Sequence, residues 1–144
     1  MSFRRLPLLA FLTAGLTSAA TAAPVAFDEV RAIFEGKCLE CHNPDKTKGK
    51  LLMTSREGFL KGGESGAALI GVAAEKSELV KRLVLPKDHD DLMPPKGGPL
   101  PAAEIDVIRR WVAEGAVWPT GVVLAAKDKA KEDAKTTAGE APKK

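Results

Sequence analysis

Large aromatic side chains are scarce in this sequence. Tyrosine is absent, and phenylalanine and tryptophan together account for only 5% of the 144 residues. Aromatic side chains bury more apolar area than most others, so a chain with few of them has little bulk from which to build a core. A bound apolar group would supply the missing bulk, although a low aromatic content alone does not demand one.

A membrane-spanning run and a basic surface are also missing. The apolar run at residues 6–16 is shorter than the roughly 20 residues that a spanning helix needs. The chain carries a formal charge of +3, and its lysines and arginines form no stripe of the kind that nucleic acids require. We therefore expect no nucleic-acid partner, and no stable membrane span once the N-terminal segment is removed.

The N-terminal segment has the features of a secretory signal peptide. Arg4 and Arg5 precede the apolar run, and small residues follow it. This order of charge, short apolar run and small residues predicts a signal peptide over residues 1–23, cleaved near Ala22 or Ala23. The mature chain is then periplasmic or otherwise exported. The alternative is an uncleaved membrane anchor.

Apolar periodicity predicts a helical domain over residues 24–119, followed by a disordered charged tail over residues 120–144. Apolar side chains recur at helical spacing in three segments, residues 27–37, 77–85 and 102–114. No segment shows the alternation of a strand, so the predicted fold class is all-α. The end of the chain lacks apolar periodicity and cannot bury enough surface to fold.

The chain has two cysteines, and both stand in the motif Cys38-Leu39-Glu40-Cys41-His42. C-x-x-C-H is the attachment signature of c-type haem. Two thiols at this spacing can add to the two vinyl groups of one porphyrin, and the adjacent histidine can then ligate the iron on its proximal side. The motif predicts one covalently bound haem c, attached through Cys38 and Cys41, with His42 as the proximal ligand.

Other uses of these residues remain open. A redox disulfide between Cys38 and Cys41 would need a βαβ context, which the sequence lacks. A zinc site formed by Cys38, Cys41, His42 and His89 is conceivable, but structural zinc favours two separated pairs of ligands. The polar loop at residues 88–91 could instead hold a hard cation such as calcium.

A methionine in a proline-rich loop is the main candidate for the distal iron ligand. Met93 precedes Pro94 and Pro95, and prolines stiffen the loop in which they lie. Met53 is the alternative methionine, although its apolar neighbours favour a role as core filler. His89 is the alternative histidine, although its acidic neighbours indicate an exposed loop.

Several short motifs, taken in order, resemble the planctomycete-type cytochrome c domain, a member of the class I cytochrome c-like group. They include C-x-x-C-H at 38–42, KGKLL at 48–52, KGGESG at 61–66, MPPK at 93–96 and RRWVAEGA at 109–116. The resemblance implies a small helical domain wrapped around one haem. It implies attachment at Cys38 and Cys41, with His42 proximal and Met93 distal.

The resemblance also implies that the first and last helices cross near Phe34 and Trp111. The function we expect is one-electron transfer by an exported mono-haem cytochrome, with a redox protein as partner, rather than catalysis. The alternatives are a haem subunit or haem enzyme, peroxidase-like or associated with a dehydrogenase, and a haem-based sensor or interaction module. The sequence shows no obvious distal His-Arg pair for peroxide cleavage.

Overall fold

The computed structural model describes residues 23–127, so the signal peptide predicted over residues 1–23 lies almost wholly outside it. No helix in the described part of the chain is both long and apolar enough to cross a membrane. The described elements follow in the order α1 (Phe27–Ile33), a π-helical turn (Phe34–Cys38), β1 (His42–Asn43), β2 (Lys46–Thr47), a 3-10 turn (Lys48–Lys50), α2 (Arg56–Lys61), a second 3-10 turn (Ala74–Lys76), α3 (Glu78–Leu83) and α4 (Ala102–Ala113).

The two strands show that the predicted all-α fold class is wrong, because the fold is helical with a small antiparallel sheet. β1 and β2 pair with His42 opposite Thr47. Between them, Asn43 Oδ1 accepts hydrogen bonds from the backbone amides of Asp45 at 2.8 Å and Lys46 at 2.9 Å. Asparagine side chains favour such turns. Strands of two residues are too short to show the alternation by which a strand is recognised in a sequence.

The first helix continues into a π-helical turn that ends at Cys38. Asp28 and Glu29 lie in the first turn of α1, where carboxylates interact favourably with the helix dipole. From Phe34 the hydrogen bonding is π-helical, and the Leu39 amide donates to the Phe34 carbonyl at 3.0 Å. The helix predicted over residues 27–37 therefore ends in a π-turn, a rare form that is frequent at functional sites.

Every phenylalanine and tryptophan in residues 23–127 belongs to one aromatic cluster between α1, α2 and α4. Phe34 packs edge-on against Trp111, with ring centroids 5.8 Å apart. Phe59 in α2 lies 6.0 Å from the same tryptophan, and Phe27 lies 5.0 Å from Trp118. The first and last helices therefore meet at Phe34 and Trp111, as the resemblance implies.

The packed region extends beyond residue 119, the predicted end of the domain. Leu124 is only 2% exposed, and its backbone amide donates to the Thr54 carbonyl at 2.8 Å. The start of the predicted tail therefore belongs to the folded domain, because an apolar side chain there completes the core. The rest of the predicted tail, residues 128–144, lies outside the described residues.

Candidate haem site

A cavity of about 400 Å³ lies between the C-x-x-C-H segment and the methionine loop, which we define as residues 91–97. All four predicted site residues line it: Cys38, Cys41, His42 and Met93. Its volume falls within the range of roughly 300–1,000 Å³ that small-molecule and cofactor sites occupy. The fold thus brings together two segments that lie far apart in the sequence.

The walls of the cavity are largely apolar. Leu51, Met53, Ala68, Leu79 and Leu83 line it and belong to the hydrophobic core or pack against it. Met53, the alternative methionine, is 2% exposed. Apolar walls favour the burial of a flat apolar group, since contact with them removes its surface from water. Together with the two thiols, the imidazole and the thioether, they fit a haem.

The imidazole of His42 is oriented by the backbone of a neighbouring segment. Its Nδ1 atom lies 3.2 Å from the carbonyl oxygen of Leu51. With the proton on Nδ1 this contact is a hydrogen bond, and the Nε2 lone pair is free to bind a metal. The same segment is tied to His42 again, because the Met53 amide donates to the His42 carbonyl at 2.9 Å. The Leu51 acceptor could not be predicted from the sequence, since a backbone carbonyl has no signature there.

Burial lowers the pKa of His42 below its ordinary value, and the hydrogen bond to the Leu51 carbonyl opposes this shift only in part. The positive charges of Arg82 and Lys48 also lower the pKa of His42. The imidazole is therefore neutral at pH 7. Neutral imidazole is the form in which histidine binds metals.

Cys38 is the last residue of the π-turn, and Cys41 follows on a tight backbone turn, in which the Cys41 amide donates to the Cys38 carbonyl at 3.1 Å. Both are free thiols and partly buried. Desolvation, with smaller contributions from Glu104 and Cys41, raises the pKa of the Cys38 thiol to about 12. Redox disulfides use thiolates of low pKa, so a neutral thiol at Cys38 disfavours that alternative.

The methionine loop is held against α3. The Met93 amide donates to the carbonyl oxygen of Arg82 at 3.0 Å. Leu92, the preceding residue, is buried, and Pro94 and Pro95 line the cavity beside Met93. The loop therefore combines one buried apolar side chain with a backbone hydrogen bond at the candidate ligand.

Arg82 itself lines the cavity and makes three side-chain hydrogen bonds. Its Nε donates to Glu78 at 2.8 Å, its Nη1 to Asp91 at 3.0 Å and its Nη2 to Ser65 at 2.7 Å. In the sequence only the pair with Glu78 is visible, as an i,i+4 spacing on a helix. The other two partners come from loops, and no sequence pattern connects them to Arg82.

Ser65 belongs to the glycine loop, residues 62–66, which bends tightly beside the cavity. The Glu64 amide donates to the Gly49 carbonyl at 2.8 Å. A side chain at Gly63 would collide with that same carbonyl oxygen, so only glycine allows the two backbones to come so close. This close approach places Ser65 on the cavity wall, within reach of Arg82.

His89, the alternative histidine, does not line the cavity. It is exposed, and its Nδ1 accepts a hydrogen bond from the Asp91 amide at 3.0 Å. Across residues 23–127, no group of three or more histidine, cysteine, aspartate and glutamate side chains is arranged to hold a metal ion. The described chain therefore assembles neither the zinc set that includes His89 nor a calcium site at residues 88–91.

The cavity and the residues that line it fit a haem-binding domain. Residues 38–97 match the family model described as Planctomycete cytochrome C, in agreement with the resemblance found in the sequence, and the match indicates a haem-binding cytochrome. The match begins at Cys38 and ends in the methionine loop, so it contains all four residues discussed above. No curated protein and no solved structure matches the chain significantly.

Proposed function

We propose that this protein is an exported mono-haem cytochrome c that carries single electrons. In this proposal Cys38 and Cys41 hold the haem covalently, and His42 and Met93 ligate its iron. The observation that carries the proposal is that one largely apolar cavity is lined by all four side chains. When bound, the haem supplies an iron that alternates between the ferrous and ferric states.

His42 contributes a neutral imidazole whose orientation is set before any ligand arrives. The Leu51 carbonyl, 3.2 Å from Nδ1, limits rotation of the ring and keeps Nε2 as the lone-pair donor. A hydrogen bond at Nδ1 also raises the basicity of a ligating histidine. The Leu51 carbonyl therefore both orients the His42 ring and strengthens it as an electron-pair donor.

Met93 contributes a thioether from the methionine loop. Thioethers favour ferrous iron, so a methionine ligand raises the reduction potential relative to a second histidine. If His42 and Met93 both ligated the iron, no coordination position would remain for a substrate, which favours electron transfer over catalysis. Export is supported by the signal-peptide pattern of residues 1–23.

The visible absorption spectrum of the exported protein tests this proposal. We expect the reduced protein to show the sharp α-band of a c-type haem. The oxidised protein should show the weak long-wavelength band of methionine-ligated ferric haem. Met93→Ala should abolish that weak band. Met53→Leu is the matched control, because Met53 also lines the cavity but lies in the core, and it should keep the band.

Two further results would bear on the finer parts of the proposal. Mass spectrometry under denaturing conditions should find one haem retained per chain, and loss of the haem from denatured protein would contradict covalent attachment. A five-coordinate, high-spin ferric iron would contradict Met93 ligation. Peroxide turnover above that of a free haem peptide would instead support the haem-enzyme alternative.

A further inference from the structure

Arg82 joins three segments that surround the cavity. Its guanidinium donates to Glu78 in α3, to Asp91 in the methionine loop and to Ser65 in the glycine loop, at 2.8, 3.0 and 2.7 Å. The three bonds leave from three different nitrogens. A planar guanidinium can present donors in several fixed directions at once, whereas a lysine ammonium cannot span three such partners.

The backbone of Arg82 adds a fourth contact, because its carbonyl accepts the Met93 amide at 3.0 Å. The methionine loop is therefore bound to Arg82 at two points, through the side chain of Asp91 and through the main chain of Met93. The Arg82 side chain is only 24% exposed, so water screens its ion pairs less than those of a fully exposed arginine.

The charge on Arg82 is constant across the ordinary range of pH. Partial burial alone would lower the pKa of Arg82, but its hydrogen bonds to Glu78 and Asp91 raise that pKa above the ordinary value. Glu78 and Asp91 therefore face a permanent cation. Loss of that cation would leave two carboxylates on the cavity rim without the partner that holds them.

We infer that Arg82 is a positioning residue that keeps Met93 at the cavity by fixing the methionine loop to α3 and to the glycine loop. The inference rests on the proposed function, in which Met93 ligates the iron. An external ligand can take the place of Met93 only when the loop moves away. The affinity for such a ligand therefore measures how firmly the loop is held.

Imidazole titration of the ferric, haem-loaded protein is the test. We expect Arg82→Gln to bind imidazole about tenfold more tightly than the wild type, because it removes several charge-assisted hydrogen bonds at once. Asp91→Asn and Ser65→Ala each remove one partner and should give smaller gains. Arg82→Lys keeps the positive charge but cannot donate to all three partners at once. Its imidazole affinity should therefore lie between those of the wild type and Arg82→Gln.

Arg31→Gln is the matched control. Arg31 pairs with Glu35 at the same i,i+4 spacing, with Nε to Oε1 at 2.9 Å, but it is 46% exposed and does not line the cavity. Its loss should leave imidazole affinity unchanged. The double variant Arg82→Gln/Asp91→Asn should bind imidazole no more tightly than Arg82→Gln alone, because the two residues share one interaction.

The outcomes separate this inference from the proposed function. If Met93→Ala fails to tighten imidazole binding, the ligand assignment is overturned and the inference with it. If Met93→Ala tightens binding but Arg82→Gln behaves like Arg31→Gln, the inference alone is overturned. Should Arg82→Gln fail to accumulate, Asp91→Asn and Ser65→Ala decide the question, and unchanged affinity in both would overturn the inference.

Discussion

The aromatic cluster and the rim of the cavity are held together by different kinds of interaction. By the rim we mean the methionine loop, the glycine loop and Arg82, which joins them. In the cluster, Phe34, Phe59 and Trp111 are almost completely buried and pack ring against ring. At the rim, the methionine and glycine loops have little regular structure and are joined through the partly exposed side chain of Arg82.

The two regions therefore have different roles: the cluster contributes to the stability of the fold, and the rim to the position of Met93. Apolar burial is favourable in proportion to area and has little dependence on direction, so the aromatic cluster contributes mainly to the free energy of unfolding. Charge-assisted hydrogen bonds are directional, and at partly exposed sites they add little net stability. The rim therefore determines mainly where Met93 lies, and substitutions in the two regions should have separable effects.

The largest effect on stability should come from Trp111→Ala in the aromatic cluster. Truncation of a buried tryptophan removes apolar contacts and leaves a cavity, which costs about 3–5 kcal/mol of unfolding free energy. Chemical denaturation of the haem-loaded protein measures this loss. Val117→Ala is the control, since Val117 is exposed beside the cluster and should change stability little. A similar loss in both variants would contradict the central role of the cluster.

A smaller loss is expected from Gly63→Ala at the rim. The new methyl group would collide with the Gly49 carbonyl oxygen, and because both partners are backbone the two segments must separate. Such overpacking costs about 1–3 kcal/mol. The shift should also move Ser65 away from Arg82 and tighten imidazole binding by the ferric protein.

Gly36→Ala is the matched control for this prediction. The atoms nearest to a methyl group at Gly36 would belong to the flexible Lys127 side chain, which can move aside. Denaturation should therefore give the wild-type stability. A Gly63→Ala protein that also behaves like the wild type would show that the close approach of the two backbones is dispensable.

The smallest effect should appear on mild acidification. The pKa of His42 is lowered in the folded protein by burial, so just below the ordinary histidine pKa of about 6.5 the unfolded chain binds a proton that the folded chain does not. Stability should therefore fall as the pH falls through that window, and a bound iron would act in the same direction. Denaturation midpoints measured from about pH 7.5 down to about pH 5.5 would detect this loss of stability.

His89→Gln provides the control for the pH experiment, because His89 is the other histidine of the chain, is exposed and does not line the cavity. The pH dependence should persist in this variant. If it disappears, the proton taken up on unfolding belongs to His89 and not to His42.

The elements that the sequence predicts well are those with a local physical signature. The apolar stripe of α4 is visible because helical periodicity places Ile108, Trp111 and Val112 on one face, and all three are buried. The predicted helix over residues 102–114 agrees closely with the observed Ala102–Ala113. Gly115, just beyond the end of the helix, has a φ of 101°, which glycine adopts without strain.

The two-residue strands, the π-turn and the packing of Leu124 were not predictable in this way. Each depends on partners distant in sequence or on patterns too short to recognise. The haem motif was recognisable because the chemistry of attachment requires two thiols and an imidazole within five adjacent residues, Cys38 to His42. That requirement is local, so the sequence alone was enough to identify the cofactor class.

The surroundings of the haem motif are determined by the tertiary structure. It brought Met93 to the same cavity as His42, supplied the Leu51 carbonyl to the imidazole, and joined two loops through Arg82. A carbonyl oxygen is common to every residue, and a single arginine has no fixed sequence distance to its loop partners. Local chemistry could therefore be predicted from the order of residues, whereas the contacts that orient it exist only once the chain has folded.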